Sequence, residues 1–333
     1  MKPDYRPEDV TAAIVTYGAR QSLLLSVLER LRVEGVGQCV VVDNGAHWPV
    51  AKDLRAQFGT WVRVVPMGGN TGSSQGFAAA LAAARDTGLP LIWLLDDDNR
   101  PRHGCLAELL LAYAEESQDI PEDMLALVAG RAEHSIESIS DRQLLTRWDS
   151  FGGFHVADLP AKLANRLPLR RQTAPTRRAR VGVTHFGGML FHRSLTERFG
   201  LPRHEFYMYA DDTEFTWRIT AAGGRIVQVA DAVVEDLEPA AQETARLRNR
   251  FVAALQTDSD FRSYYATRNL TFFESRFRRR NAFLFALNRR IYFALLRRYA
   301  VKLGRMEKYR FLRASVSDGL AGRQGPDPRF PLS

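Results

Sequence analysis

Short apolar runs alternate with longer helical patterns through the first hundred residues, and this alternation limits the chain to few folds. Four runs have the length and β-branched content of strands: TAAIVTY, QCVVVDN, WVRVVPM and LIWLLDDD. Residues 22–31 place four Leu or Val side chains on one helical face, and an Ala-rich helix is expected from Gly76 to Thr87. Strands that alternate with helices predict an α/β domain with a mostly parallel sheet flanked by helices.

The fourth run ends in three consecutive carboxylates, Asp96, Asp97 and Asp98, directly after five apolar residues. Like charges this close repel, and the repulsion is stronger beside an apolar segment, where the dielectric constant is low. The three acids could be turn residues that point into water, or they could hold a divalent cation such as Mg²⁺ or Mn²⁺. A dinucleotide site is excluded, because the turn TYGARQ lacks GxGxxG and the stretch GGNTGSSQG has no P-loop lysine.

Further polar residues stand at the ends of other elements. Asp211, Asp212 and Glu214 precede a helix in YMYADDTEFTWRI, and Glu235 and Asp236 end the strand RIVQVADAVVED. Acids at a helix start also complement the helix dipole, so this pattern alone does not define a site. The residues that follow the first two strands are Thr16, Tyr17 and Asp43. Because ligands bind at the carboxyl ends of parallel strands, we expect all these side chains to converge on one nucleotide-type site.

The later part of the chain is less regular in its middle and helical towards its end. MLALVAGRA predicts a strand, and VGVTHFGGMLFHRSLTERFGLP predicts a strand, a tight Gly-Gly approach and a helix in that order. The basic segment LPLRRQTAPTRRAR between them predicts a loop. From about Pro239 to about Arg313 the pattern is helical, and a Gly- and Pro-rich tail follows. We therefore expect a helical extension after the α/β part.

Positive charge is concentrated in this extension. Residues 276–313 contain 13 Lys or Arg and one acid, a net charge of +12, which leaves −4 for the remainder of a chain of net charge +8. This argues against nucleic acid as a partner and for a local anionic one. The apolar stripe predicted within residues 281–299 consists of Phe283, Leu284, Leu287, Ile291, Ala294 and Leu295. Such a basic helix could lie on an anionic membrane, dock on the rest of the chain, or join two copies in a homo-oligomer.

Cysteine content and hydropathy indicate the compartment. Two cysteines, Cys39 and Cys105, are too few for a disulfide framework, and Cys39 lies in an apolar run as a core residue would. The segment MKPDYRPEDVT has no apolar stretch of the signal-peptide type, and no run approaches the ~18 apolar residues of a membrane span. A cytoplasmic protein is therefore expected.

Several motifs follow one another in a specific order. They are VTY at 15–17, VVDN at 41–44, NTGSSQG at 70–76, DDD at 96–98, FGGMLFHR at 186–193 and an acidic pair ahead of a helix bearing WR. In this order they resemble the inverting glycosyltransferases of family 2, and the resemblance covers roughly Ala12 to Asp236. The segments YYATRN and DGLAGRQG look most like bacterial rhamnosyltransferases and galactofuranosyltransferases. The resemblance implies a GT-A fold, which is Rossmann-like with a mixed, mostly parallel sheet, here with a helical C-terminal extension.

The resemblance also implies a reaction. A sugar would move from a nucleoside-diphosphate donor, UDP or dTDP, to a glycan or lipid-linked acceptor, with Mg²⁺ or Mn²⁺ bound by Asp98 and supported by Asp96. Asp236 stands where many members have a His ligand, and the general base would be Asp212 rather than Asp211. The remaining implied residues are Thr16, Tyr17, Asp43, Asn70, Asp96 and Asp97 for the nucleotide sugar, and Gly187, Gly188, Glu214 and Trp217 for the acceptor.

By the same resemblance, residues 1–238 form the catalytic domain, with a nucleotide-sugar half at about 1–118 and an acceptor half at about 119–238. Residues 239–333 form the helical basic region. A lipid-linked acceptor would place the protein peripherally on the inner face of the cytoplasmic membrane. Rival interpretations are a hexose or N-acetylhexosamine transferase, a non-catalytic nucleotide-sugar-binding scaffold, and a nucleotidyltransferase. The late acidic pair favours sugar transfer over the last of these.

Overall fold

The strands form one mixed sheet in the computed structural model, which describes residues 4–131, 147–159, 177–238 and 249–332. They are β1 (Val10–Gly18), β2 (Gln38–Ala46), β3 (Val62–Pro66), β4 (Leu91–Asp96), β5 (Asn99–Pro101), β6 (Leu125–Arg131), β7 (Arg178–Arg180), β8 (Met189–His192) and β9 (Arg225–Asp236). Their order is β3-β2-β1-β4-β8-β6-β9-β5, with β7 paired to β9. The first four strands in this order are parallel to one another, β8 runs antiparallel to both neighbours, and β6 and β9 are parallel again. The predicted α/β fold is confirmed.

Helices cover both faces of this sheet and continue beyond it. They are α1 (Gln21–Val33), α2 (Val50–Phe58), α3 (Ser73–Arg85), α4 (Cys105–Glu116), α5 (Ser194–Phe199), α6 (Asp211–Ala221), α7 (Arg250–Gln256), α8 (Asp260–Phe277), α9 (Ala282–Lys302) and α10 (Met306–Leu320). The predicted helical face of residues 22–31 is confirmed, since Leu24, Val27, Leu28 and Leu31 of α1 are all buried. None of the helices in the described ranges combines the length and hydropathy needed to cross a bilayer.

The two cores follow from alternation along the strands. Val10, Ala12 and Ile14 of β1 pack into the layer that contains α1, α2 and α4. Ala13 and Val15 point the other way, into the layer that contains α3, α5 and α6. Since helices lie on both faces, the strands are apolar on both faces, which explains their continuous hydrophobic runs. The strand ends are then the places where polar side chains reach solvent.

Two predictions for the middle of the chain need correction or lie outside the described ranges. Residues 167–176 of LPLRRQTAPTRRAR and residues 239–248 fall outside them. The last three residues of that segment, Arg178–Arg180, were predicted as part of a loop but form β7, because they pair with β9. A loop prediction from composition could not anticipate a partner strand that lies some fifty residues later in the chain.

The C-terminal helices form their own small core. Leu255 of α7, Leu296 and Ala300 of α9, and Tyr309 and Leu312 of α10 are buried together. The helical region extends to Leu320, beyond the predicted end at Arg313. The face that α9 buries is also different from the predicted apolar stripe, because its buried residues are Phe285, Asn288, Leu296 and Ala300. The stripe that begins at Phe283 therefore lies on the outer side of the helix.

Candidate active site

A cleft of about 390 Å³ lies where β1 and β4 end and α6 begins. Its acidic lining residues come from three separate segments and are Asp96, Asp97, Asp98, Asp211, Asp212, Asp236 and Glu238. Arg20, Arg131 and His185 also line it. The structure therefore brings the three acid clusters together at one edge of the sheet.

Arg20 offsets the repulsion within the acid triplet. Its Nε donates to Oδ1 of Asp97 at 2.8 Å, and its Nη2 donates to Oδ2 of Asp98 at 2.7 Å. The hydroxyl of Thr16 donates to the other oxygen of Asp97 at 2.8 Å. Asp97 is only 2% exposed, and burial raises its pKa to about 6 against the opposing effect of Arg20. Thr16 and Asp97 thus fix Arg20, rather than presenting free groups to a ligand.

Asp96 is the member of the triplet that faces the cleft most openly. Its side chain is 40% exposed, and its carboxylate lies 3.9 Å from the Arg131 guanidinium. Desolvation and then the charge of Asp98 raise its pKa to about 7, while Arg131 opposes this. Excess negative charge of this kind suits a hard divalent cation. Within the described ranges no three His, Cys, Asp or Glu side chains are already arranged around a common metal position, so Asp96 and Asp98 would supply part of a coordination shell.

Asp236 belongs to a polar network at the side of the cleft. Asn99 donates to its Oδ1 at 2.7 Å, and Arg131 forms an ion pair with the same oxygen. Arg131 also donates to Nε2 of His185 at 2.6 Å. A metal at Asp236 would have to share this carboxylate with Arg131. Sequence reasoning missed Arg20, Arg131 and His185. The position of Arg20 could have revealed it, because the turn after β1 lies at the sheet edge where the site was expected.

Asp211 and Asp212 begin α6 at the opposite wall of the cleft. Asp211 is 3% exposed and accepts a hydrogen bond from the Ser73 hydroxyl at 2.9 Å. Burial, and then the charge of Asp212, raise the pKa of Asp211. Asp212 is less buried, and its Oδ1 accepts the Thr213 amide at 2.6 Å. The two acids therefore differ in environment, and Asp212 is the more accessible one.

The segment that presents these two acids has an unusual backbone. Tyr207, Tyr209 and Ala210 have φ angles of 62°, 64° and 63°, which is the left-handed region that side chains with a Cβ disfavour. The buried amide of Asn269 in α8 donates to the carbonyl oxygens of Met208 at 2.6 Å and Tyr209 at 3.2 Å, and also to Phe206. The C-terminal helices therefore hold the segment that positions Asp211 and Asp212.

Asn269 is itself held by its neighbour in the YYATRN segment. Nε of Arg268 donates to Oδ1 of Asn269 at 2.9 Å, and Nη2 of Arg268 donates to the Gly325 carbonyl at 2.8 Å. Arg268 is almost fully buried, and its guanidinium stacks over Tyr265. Two segments distant in sequence, YYATRN and DGLAGRQG, thus act on the same loop.

The glycines predicted for acceptor binding lie against the cleft residues. A Cβ on Gly187 would stand 1.9 Å from Oδ1 of Asn99 and 2.6 Å from Oδ2 of Asp96. Gly188 has a φ of +92°, which strains any other residue. Gly187 is therefore needed for the close approach of Asn99 and Asp96, and Gly188 for its own backbone conformation.

The other predicted site residues lie in different environments, some in the cleft and some away from it. Tyr17 and Asn70 line the cleft, but Asp43 caps its own turn by accepting the Ala46 amide at 2.9 Å. Glu214 is fully buried between Arg203 and Arg218, and Trp217 packs edge-on against Phe273. Neither Glu214 nor Trp217 is in position to contact a ligand in the cleft. Glu214 follows the helical period into the interior and half-buried Trp217 packs against α8, which a motif match alone could not reveal.

Comparison with known proteins identifies the family. A family model described as "Glycosyltransferase like family 2" matches residues 7–254. None of the curated proteins matches at significant similarity. The mannosyltransferase PcManGT from Pyrobaculum calidifontis, solved with GDP-Man and Mn²⁺, is similar over 98% of this chain and 78% of its own, at 16% identity and a TM-score of 0.52.

Two further solved structures are similar. S. aureus TarS 1–349 in complex with UDP-GlcNAc matches 94% of this chain and 81% of its own, at 12% identity and a TM-score of 0.50. GalNAc-T7 with UDP, GalNAc and Mn²⁺ matches 68% of this chain, which spans only 43% of that protein, at 15% identity and a TM-score of 0.49. At these identities PcManGT and TarS show a shared fold only, and the family rests on the model that matches about three quarters of the sequence. The chain belongs to the family 2 glycosyltransferases.

Proposed function

We propose that the chain is a metal-dependent, inverting glycosyltransferase that moves a sugar from a UDP- or dTDP-linked donor to a glycan or lipid-linked acceptor. The observation that carries the proposal is the meeting of Asp96 and Asp98 with Asp211 and Asp212 in one cleft of about 390 Å³. That volume is within the range of small-molecule sites. Donor chemistry would be assigned to the first pair of acids and acceptor chemistry to the second.

On the donor side, Asp96 and Asp98 would hold Mg²⁺ or Mn²⁺. Asp236 would also bind the ion if the ion displaced Arg131 from its carboxylate. Such an ion neutralises the charge that gathers on a departing diphosphate. Two of the similar structures contain Mn²⁺, which supports divalent metal use. Tyr17 and Asn70 would contact the nucleotide, and Thr16 and Asp97 would act through Arg20. Asp43 would contribute indirectly, by stabilising the turn that it caps.

On the acceptor side, Asp212 would take the proton of the attacking hydroxyl. The hydroxyl oxygen forms a bond to the anomeric carbon while the bond to the diphosphate oxygen breaks and its electron pair leaves with the nucleotide. Asp211, held by Ser73 and with a raised pKa, would stay closer to neutral and leave Asp212 as the charged base. Because they have no side chains, Gly187 and Gly188 would leave room for a sugar between the two pairs of acids.

The donor sugar is proposed from the sequence motifs rather than from the cleft. YYATRN and DGLAGRQG favour galactofuranose or rhamnose, and hence a role in cell-envelope polysaccharide synthesis at the inner face of the cytoplasmic membrane. Transfer of a hexose or N-acetylhexosamine is the second candidate, favoured by the GDP-Man and UDP-GlcNAc in the similar structures. The nucleotide-sugar half would be residues 1–118 and the acceptor half residues 119–238, although Arg131 of the second half lies 3.9 Å from the donor acid Asp96.

The test is calorimetric titration with UDP and then dTDP, with and without Mn²⁺. Binding that needs Mn²⁺ and is lost in Asp98→Ala would support the donor site and select the base, whereas no binding under any condition would contradict the proposal. Asp212→Asn should bind the nucleotide as wild type does but lose acceptor-dependent release of nucleoside diphosphate. A scaffold would bind and release nothing in either form, and a nucleotidyltransferase would release pyrophosphate.

A further inference from the structure

Helix α9 carries a second apolar stripe on the side that faces away from the core. Phe283, Leu287, Ala294 and Val301 recur at helical spacing along one line, opposite the buried Leu296. Phe283 is 76% exposed and Val301 is 61% exposed. At ~1.5 Å per residue, the stripe is about 27 Å long. Of the seven large apolar side chains exposed in the described ranges, four lie between residues 283 and 320, so this surface is unlike the rest of the molecule.

Helices α9 and α10 also carry many positive charges, few of which pair with acids in the described ranges. Residues 282–320 contain nine Lys or Arg and only two acids, Glu307 and Asp318. Within the part of the chain that the structure describes, Lys308 is the one of the nine cations that forms an ion pair, with Asp260. Asp318 is already bound by Arg323 and Arg329 of the C-terminal tail. Among the described residues little negative charge therefore faces α9 and α10, and these cations suit an anionic ligand.

Three of these cations converge in a groove between α9 and α10. The groove has a volume of about 470 Å³, and Arg289, Arg290 and Arg313 line it together with Phe293, Val316 and Leu320. Burial, and then the neighbouring charge of Arg290, lower the pKa of Arg289, as expected for a partly buried cation beside another cation. A groove with cationic and apolar walls fits a ligand that is both anionic and apolar.

We propose that the outer face of α9 and α10 docks on an anionic lipid bilayer, with the groove receiving the phosphate of a lipid headgroup. Phe283 and Val301 would enter the interface between headgroups and acyl chains, while the arginines contact phosphates. Charge selects this occupant over a second copy of the chain, because a symmetric contact would place the same basic surface against itself. The apolar stripe argues against nucleic acid, which would meet it with charged phosphates.

The inference deepens the proposed function, since a lipid-linked acceptor would be presented at such a surface, but its test does not use the transfer reaction. The measurement is flotation of the full chain with vesicles of phosphatidylcholine alone or with about one third phosphatidylglycerol. Wild type should float only with the anionic vesicles. Combined Arg289→Gln, Arg290→Gln and Arg313→Gln should weaken this binding about 100-fold, and Phe283→Ser alone roughly tenfold.

Matched controls remove equal charge or apolar surface elsewhere. Arg32→Gln, Lys52→Gln and Arg55→Gln together remove three exposed cations from α1 and α2, and Leu111→Ser removes another exposed apolar side chain. Both controls should bind as wild type does. If the charge control lost vesicle binding to the same extent, net charge alone would explain the effect and the proposal would be overturned. If wild type did not bind vesicles but sedimented as a dimer, and Phe283→Ser abolished that dimer, the proposal would be overturned in favour of a second copy of the chain as the occupant. Vesicle binding by a protein that shows no nucleotide binding would support this inference and contradict only the proposed function.

Discussion

Asn269→Leu should reduce turnover much more than it reduces substrate binding, because Asn269 holds the backbone that presents Asp211 and Asp212. Three non-glycine residues of that segment, Tyr207, Tyr209 and Ala210, lie in the left-handed region at a cost of roughly 1–2 kcal/mol each. The amide of Asn269 opposes this strain through its bonds to the carbonyls of residues 206, 208 and 209. Leucine has a similar size but no donor, so the buried carbonyls would lose their partners at about 1–3 kcal/mol each.

If the segment relaxes by about 2–3 kcal/mol, kcat should fall roughly 30- to 150-fold, while the affinity for nucleotide measured by calorimetry should change less than threefold. Asn288→Leu is the matched control. Asn288 is equally buried and also holds a loop, since it donates to the Asp149 carbonyl at 2.7 Å and accepts the Val156 amide at 2.8 Å, but this loop lies outside the cleft. Both variants should lower the melting temperature, and only Asn269→Leu should lower kcat. Equal kcat values in the two variants, or an unchanged kcat in Asn269→Leu, would refute the reasoning.

Three other substitutions test the charges and the close approach in the cleft. Because burial raises the pKa of Asp211, the stability linked to its neutral form is fully present below about pH 4, its ordinary value, and is lost as the pH rises through the raised pKa. Asp211→Asn should therefore increase the free energy of unfolding in urea by about 1–2 kcal/mol at pH 8 and by little at pH 5, and an equal gain at both pH values would contradict the linkage. Arg20→Gln leaves Asp97 buried without its cation and should lower the free energy of unfolding by about 3 kcal/mol. Added Mn²⁺ should raise the melting temperature of this variant more than that of wild type. An equal rise in both would show that Arg20 and the ion do not compete. Gly187→Ala should weaken Mn²⁺-dependent nucleotide binding at least tenfold, because its Cβ would meet Asn99 at 1.9 Å, whereas Gly130→Ala, with no contact nearer than 3.4 Å, should bind normally.

The parts of the fold that were predictable are those encoded by local periodicity. The four early strands and the buried face of α1 follow from apolar spacing, because each pattern reports which side of one element meets a core. Helix α9 shows the limit of this reasoning. It has two apolar faces, and the sequence pattern picked out the one beginning at Phe283, whereas the core uses the one containing Phe285 and Leu296. Which face is buried depends on α7 and α10, and periodicity within one helix contains no information about them.

The candidate site shows a similar division between local and distant information. Acids at the ends of β4, β9 and the start of α6 were predictable, since strand ends in such sheets converge. The partners that decide what each acid can do were not predictable, because they come from remote positions: Ser73 for Asp211, Arg131 for Asp236 and Asn269 for the backbone ahead of Asp211. Motif order identified the family, but it also included Glu214, which is buried between arginines, and Trp217, which packs against α8.

The repulsion within the triplet is resolved by different means for its three members. Asp97 is neutralised permanently, because Arg20 and Thr16 take both of its oxygens within a nearly closed environment. Asp98 shares the same arginine but has the cleft beside it, so a divalent cation and Arg20 would compete for its carboxylate. Asp96 lies 3.9 Å from Arg131 and its pKa is raised to about 7, so under the proposed function it is the acid whose charge would most need a cation from outside. Under the proposed function the three consecutive aspartates would therefore have three roles: the second anchors the arginine, the third would exchange it for a metal ion, and the first would attract that ion.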